Sequence, residues 1–238
     1  MIKHRHLTPY RCAVYFAPQP DSPWGLAGSQ WLGRCAATGQ RLPMPGIDGV
    51  PVQVQQVCTA EPRRYGWHAT LKAPFALQPG QDLASVLSWL QLLASEFRAF
   101  TLPTLRAGML GNFLALRTEH ACRPLQDVAD ACVTRLQHLA LPLGEAELAR
   151  RRLAPLTSEQ DQLLQQWGYP WVRQHFRFHF SLTGSLNGMT PALRETWLAA
   201  AQAHFGDLPE CRFDRLSLFV ESEKGADFEM SEQVELRA

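Results

Sequence analysis

Residues 66–73 read Gly-Trp-His-Ala-Thr-Leu-Lys-Ala, and residues 177–183 read Arg-Phe-His-Phe-Ser-Leu-Thr. On a strand, successive side chains point to opposite faces. The first stretch therefore gathers Trp67, Ala69, Leu71 and Ala73 on an apolar face and His68, Thr70 and Lys72 on a polar one. The second does the same with Phe178, Phe180 and Leu182 against Arg177, His179, Ser181 and Thr183. Each stretch sets a histidine and, two residues later, a hydroxyl on one side of a strand with a cation nearby. One such pattern describes any half-solvated sheet; two of them, 111 residues apart in matching surroundings, call for a shared purpose.

The surroundings match in element order. Tyr10–Ala17 predicts a strand, and residues 18–62 predict mostly loop with one short helix around Trp24–Gly33. After the strand Gly66–Ala73, stopped by Pro74, Asp82 caps a helix with Leu83, Val86, Leu87, Leu90, Leu93 and Phe97 on one face. Strands around Thr101–Ala107 and Asn112–Arg117 follow, split by a turn over Gly108–Gly111. A helix opening at Pro124 and another capped at Thr157 or Ser158 fill the middle. After the second histidine strand come a helix from Thr190-Pro191 and strands at Arg212–Glu221 and Asp227–Leu236. Strand, helix, strand, strand thus occurs twice. This predicts an α+β fold with antiparallel sheets in two lobes of similar build.

Composition narrows the function. Among 238 residues, 23 Lys/Arg nearly cancel 22 Asp/Glu, for a net charge of +1. That balance argues against long nucleic acid or an anionic membrane as partner and leaves room for a small anionic ligand held by local cations. The opening MIKHRHLTPYRC carries no apolar signal stretch, no run is long enough to span a bilayer, and the six cysteines form no CxxC pair. The expected setting is cytoplasmic, with reduced thiols. His175 and His179 stand four apart, but on a strand that spacing separates ligands by roughly 13 Å, so no metal site is expected. Phosphate-loop, GxGxxG and GxSxG patterns are absent, and no cofactor is expected.

Two histidines suit one chemistry in particular. Splitting a P–O bond needs one group to take a proton from the nucleophile and another to give one to the leaving oxygen, and imidazole serves both. Thr70 and Ser181 would hold the non-bridging oxygens, with Lys72, Arg177 and Thr183 beside them. Arg64 abuts the His68 strand, and Tyr15 and Tyr65 are candidates for lining the site by stacking or hydrogen bonding.

The two motifs, His68-Ala69-Thr70 and His179-Phe180-Ser181, resemble those of the 2H phosphoesterase superfamily. The longer strings RRYGWHATLKAPF (63–75), WGYPWVRQHFRFHFSLTG (167–184), YRCAVYFAP (10–18) and QWLGR (30–34) are similar to the branch associated with bacterial phosphonate-utilisation operons. The resemblance implies two pseudo-symmetric lobes whose sheets form a cleft, helices on the outer faces, and one motif from each lobe. It implies a single bilobal domain over 1–238, with a first motif lobe at about 60–120, a helical connection at about 122–168 and a second motif lobe at about 170–238. It also implies a metal-independent phosphodiesterase acting on a small cyclic phosphate of a ribose or nucleotide, in phosphonate breakdown. The alternative is a non-catalytic protein binding a phosphate ligand or RNA end in the same cleft. Oligomeric state, and which histidine is the base, are open at this level.

Overall fold

The computed structural model describes residues 9–238, so the basic opening MIKHRHLT lies outside the described residues. In chain order the elements are β1 (Arg11–Phe16), α1 (Pro23–Leu32), α2 (Val52–Cys58), α3 (Ala60–Tyr65), β2 (Ala69–Phe75), α4 (Leu83–Glu96), β3 (Phe100–Thr101), β4 (Leu105–Leu110) and β5 (Phe113–Thr118). They continue with α5 (Arg123–Arg135), α6 (Glu145–Arg151), α7 (Ser158–Trp167), β6 (His179–Ser181), α8 (Pro191–Phe205), β7 (Arg212–Phe213), β8 (Arg215–Glu221) and β9 (Glu229–Glu235). Among the described residues no helix is long and apolar enough to cross a membrane.

Local chemistry sets most boundaries. The Asp82 carboxylate accepts from the Ser85 N–H to start α4, and the Thr190 hydroxyl does the same for α8 from Leu193. Thr157 and Gln160 form a reciprocal capping box at α7, which ends at Gly168 with φ +74°, where glycine carries no Cβ penalty. Three expectations change. The 18–62 stretch holds α2 and α3 besides α1, and α6 appears within the helical connection. The turn between β4 and β5 falls at Gly111-Asn112, so Gly108 lies inside a strand. Pro74 does not stop β2: pairing with β6 is over by then, so that edge needs no N–H from it.

All strand pairs are antiparallel, in one seven-stranded sheet of order β4-β5-β6-β2-β1-β8-β9 and a small β3–β7 ribbon. The strand-helix-strand-strand order recurs with one added short strand per half: β2-α4-β3-β4-β5 and β6-α8-β7-β8-β9. The halves meet at β2 and β6 in the middle of the sheet. α4, which follows β2, packs beneath β8 and β9, and α8, which follows β6, packs beneath β4. Each half thus covers the other, and β3 pairs with β7 where the crossovers meet.

Helices α1, α4, α5 and α8 bury one sheet face. There Phe16, Leu71, Leu116, Phe180, Leu182 and Leu218 join Trp31, Leu90, Cys132 and Trp197 in one apolar cluster. Trp67 is central to it, stacked on Phe180 at 4.5 Å and on Phe205 at 5.4 Å. Its ring also fills the space over Gly28 in α1, where a Cβ would stand 1.9 Å from the indole. In an open helix, Gly to Ala stabilises by about 1 kcal/mol. Here the sign reverses: Gly28→Ala is expected to lower unfolding free energy by about 1–3 kcal/mol through overpacking. Urea denaturation should show a lower midpoint at unchanged slope, and an unchanged or higher midpoint would contradict this packing.

Candidate active site

The opposite face carries the polar residues of both histidine motifs. β2 and β6 pair at Ala69 and Phe180. One step either side of that pair, antiparallel pairing sets His68 across from Ser181 and Thr70 across from His179. A local two-fold axis through Ala69–Phe180 therefore exchanges the motifs, and all four polar side chains share one face. The histidines are diagonal neighbours, with backbones separated by about 7–8 Å.

Both imidazoles are oriented in the same way. His68 Nδ1 lies 2.9 Å from the Gly66 carbonyl, and His179 Nδ1 lies 2.7 Å from the Arg177 carbonyl, each two residues back along its own chain. A carbonyl only accepts, so Nδ1 carries the proton in both rings and Nε2 is left with its lone pair. The Thr70 hydroxyl, 3.3 Å away, donates to His68 Nε2. Gly66 makes this approach with φ +79°, and a Cβ there would run into Ala36 at 2.5 Å.

Burial then tunes the pair. Desolvation drives the His68 pKa down to about 4, opposed by its Gly66 hydrogen bond and aided by repulsion from His179. His179 is also lowered, by desolvation first, with its Arg177 carbonyl opposing and Arg117 adding repulsion. Without an anion between them both rings are neutral at pH 7. Tyr15 stacks on His68 at 3.8 Å and 25°, while Tyr65 sits 6.1 Å from it and stacks on Phe228. Phe113 lies 5.6 Å from His179. A cavity of about 280 Å³ opens beside His179, lined by Thr70, Phe113, Trp171, Phe176 and Arg177.

Other expected site residues lie elsewhere. Tyr15 opposes Thr70 but Val14 opposes Lys72, so Leu71 is an extra residue in β2. This bulge turns Lys72 onto the helix-covered face. There its ammonium donates to the Val133 carbonyl at 3.3 Å and the Gln137 side chain at 2.8 Å, and burial lowers its pKa to about 8. Thr183 is buried, its hydroxyl accepting from the Leu114 N–H at 3.0 Å. Arg64 is held by Glu221 and by the Ala226 carbonyl, and Glu221, fully buried, also binds Arg11 at 2.6 Å. Arg177 stays on the site face, exposed, over the Trp171 ring. Arg117 is the residue the sequence reading missed: β5 pairs with β6 so that it lies directly opposite His179. Among the described residues, no three of His, Cys, Asp and Glu converge as a metal site would require.

The family described as "Protein of unknown function (DUF1045)" matches residues 70–229. The chain belongs to the DUF1045 family. Two curated relatives are each 38 % identical over 92 % of this chain, from Janthinobacterium sp. (strain Marseille) and Laribacter hongkongensis (strain HLHK9). Both are named ribose 1,5-bisphosphate phosphokinase PhnN. The chain spans about half the length of these relatives, 49 % and 50 %. Among solved structures, Escherichia coli LigT complexed with 3'-AMP aligns over 97 % of this DUF1045 chain and 99 % of its own, at 14 % identity and a TM-score of 0.43.

The pKa directions give a direct check. In an NMR titration His68 should titrate near pH 4 and His179 below 6.5, and His179→Gln should raise the His68 value by removing a like charge. Because both folded values lie below the unfolded one, the unfolded chain binds more protons between about pH 6.5 and 4. The histidines' contribution to stability should therefore fall as pH drops through that window. Ordinary titration of both rings near 6.5 would show that the pair is solvated.

Proposed function

We propose that this protein is a phosphodiesterase that hydrolyses a small cyclic phosphate on ribose, with His68 and His179 as the acid–base pair. The observation that carries this reading is the two-fold placement, on one sheet face, of two carbonyl-clamped imidazoles, each with Nε2 unprotonated. Thr70 and Ser181 supply a hydroxyl from each strand to the non-bridging oxygens, where negative charge builds.

A phosphodiester monoanion between the rings favours an added proton, reversing part of the desolvation that keeps them neutral. His68, the more strongly depressed, stays unprotonated and takes the proton from water. The water oxygen forms a bond to phosphorus. The bond from phosphorus to a sugar oxygen breaks, and His179 gives that oxygen a proton. The products are a phosphomonoester and a free hydroxyl, with the proton moved from one ring to the other.

The relatives' name supports a ribose phosphate as the substrate class. A kinase needs a nucleotide site, and this chain has no GxxxxGK[ST] phosphate loop, so we assign the kinase name to the half of those proteins that lies outside the match. For the two halves to act in sequence, this half supplies ribose 1,5-bisphosphate. Opening a ribose 1,2-cyclic phosphate at the bond to O2 leaves its phosphate on O1 and so sets one of the two phosphates of that product.

Phosphomonoester release from ribose 1,2-cyclic phosphates should persist with EDTA present. His68→Ala and His179→Ala should each lower kcat by roughly 10²–10⁴-fold, and the double variant by far less than the product, because the two groups act as one unit. Thr70→Ala and Ser181→Ala should cost less, and all four variants should melt near the parent temperature. Tight ligand binding with no turnover would sink the enzymatic reading and leave a phosphate-binding protein. Activity lost to EDTA and regained with one divalent metal would sink the two-histidine scheme.

A further inference from the structure

Past His179 the site face continues as a row of cations. Arg117 lies directly opposite His179, and Arg106 lies directly opposite Arg117 on the next strand. Cross-strand partners share a face, so both arginines stand on the histidine side, one and two strand spacings away, roughly 5 and 10 Å. Both are exposed, and neither makes a hydrogen bond or ion pair among the described residues. The Arg117 guanidinium reaches over Gly108, with Nη2 3.4 Å from where a Cβ would stand. A side chain at that position would crowd it.

Like charges directly opposite each other on a sheet cost stability unless an anion offsets them. The two sides of the site differ sharply here. Beside His68, Arg11 and Arg64 share the buried Glu221 carboxylate. Past Arg117 a groove of about 580 Å³ is lined by Arg117, Arg123 and Arg177, with Glu119 the one carboxylate on its wall. Protein carboxylates neutralise the cations on one flank and leave Arg117 and Arg177 open on the other.

We propose that Arg117 and Arg106 form a second anion subsite, which takes a phosphate carried elsewhere on the substrate. This deepens the phosphodiesterase reading and rests on it: the substrate is a ribose cyclic phosphate with a second phosphate on O5. Anchoring that phosphate on β5 and β4 lays the sugar over His179. The leaving sugar oxygen then faces His179, and the attacking water enters from His68.

Two measurements test this separately from the chemistry. The first compares kcat/KM for ribose 1,2-cyclic phosphate with and without the 5-phosphate. The parent should prefer the 5-phosphorylated substrate, and Arg117→Gln and Arg106→Gln should each reduce that preference by about 10–100-fold, the worth of a charge-assisted phosphate contact. A preference that survives in the double variant overturns the subsite while leaving the phosphodiesterase intact. The second is calorimetric binding of ribose 5-phosphate, which needs no turnover. Arg117→Gln should weaken it by about tenfold or more, and by more than His68→Gln does. The reverse order would place the anion between the histidines and overturn the subsite. Weakening in the expected order without turnover of either cyclic phosphate would uphold the anion subsite and overturn the phosphodiesterase.

Discussion

The arrangement depends on the pairing of β2 with β6. It is brief, with Ala69 and Phe180 in register at the sheet centre, yet it joins the two halves and decides which polar residues face each other. A slip of one residue would carry one motif to the buried face, because side chains alternate with period two. The apolar side forbids that slip. Trp67 stacks on Phe180 across the junction, and Phe205 from the following helix closes over it. The energy that holds the polar pair in register is thus hydrophobic and lies on the other side of the sheet.

Much of this was legible in the residues. Alternation around His68 and His179 identified the site face, capping residues located α4, α7 and α8, and the repeated element order anticipated two similar halves. What escaped was non-local. The bulge at Leu71 that removes Lys72 from the site appears only when β2 is set against β1. Arg117 sits at the end of a strand that was expected, but nothing nearby in sequence says that β5 lies next to β6. Thr183 shares the parity of His179 and Ser181, but β6 ends at Ser181 and the Thr183 hydroxyl caps a backbone N–H of β5. Period-two reasoning holds only as far as the strand does.

Charge shows the same division between local and distant. The near balance of cations and anions over the chain says nothing about their grouping. In the fold, Glu221 is fully buried and neutralises Arg11 and Arg64 beside one histidine, while the arginines beside the other are left to solvent. A site with two-fold backbone geometry thereby has a one-sided field. The proposed two-histidine reaction needs such a bias, since otherwise a substrate could enter in either of two orientations.

The carbonyl clamps on the imidazoles have one further consequence. Their acceptors are main-chain oxygens of Gly66 and Arg177, so no carboxylate stands behind either ring to store charge or titrate with it. Each imidazole has one exchangeable position, and the pair holds a single mobile proton once an anion binds. In the proposed reaction, once one proton has crossed from ring to ring the site is the mirror of its starting state. It must trade that proton with water before it can fire again in the same direction. Solvent access to the rings is therefore part of that cycle, and the cavity beside His179 is a route for it.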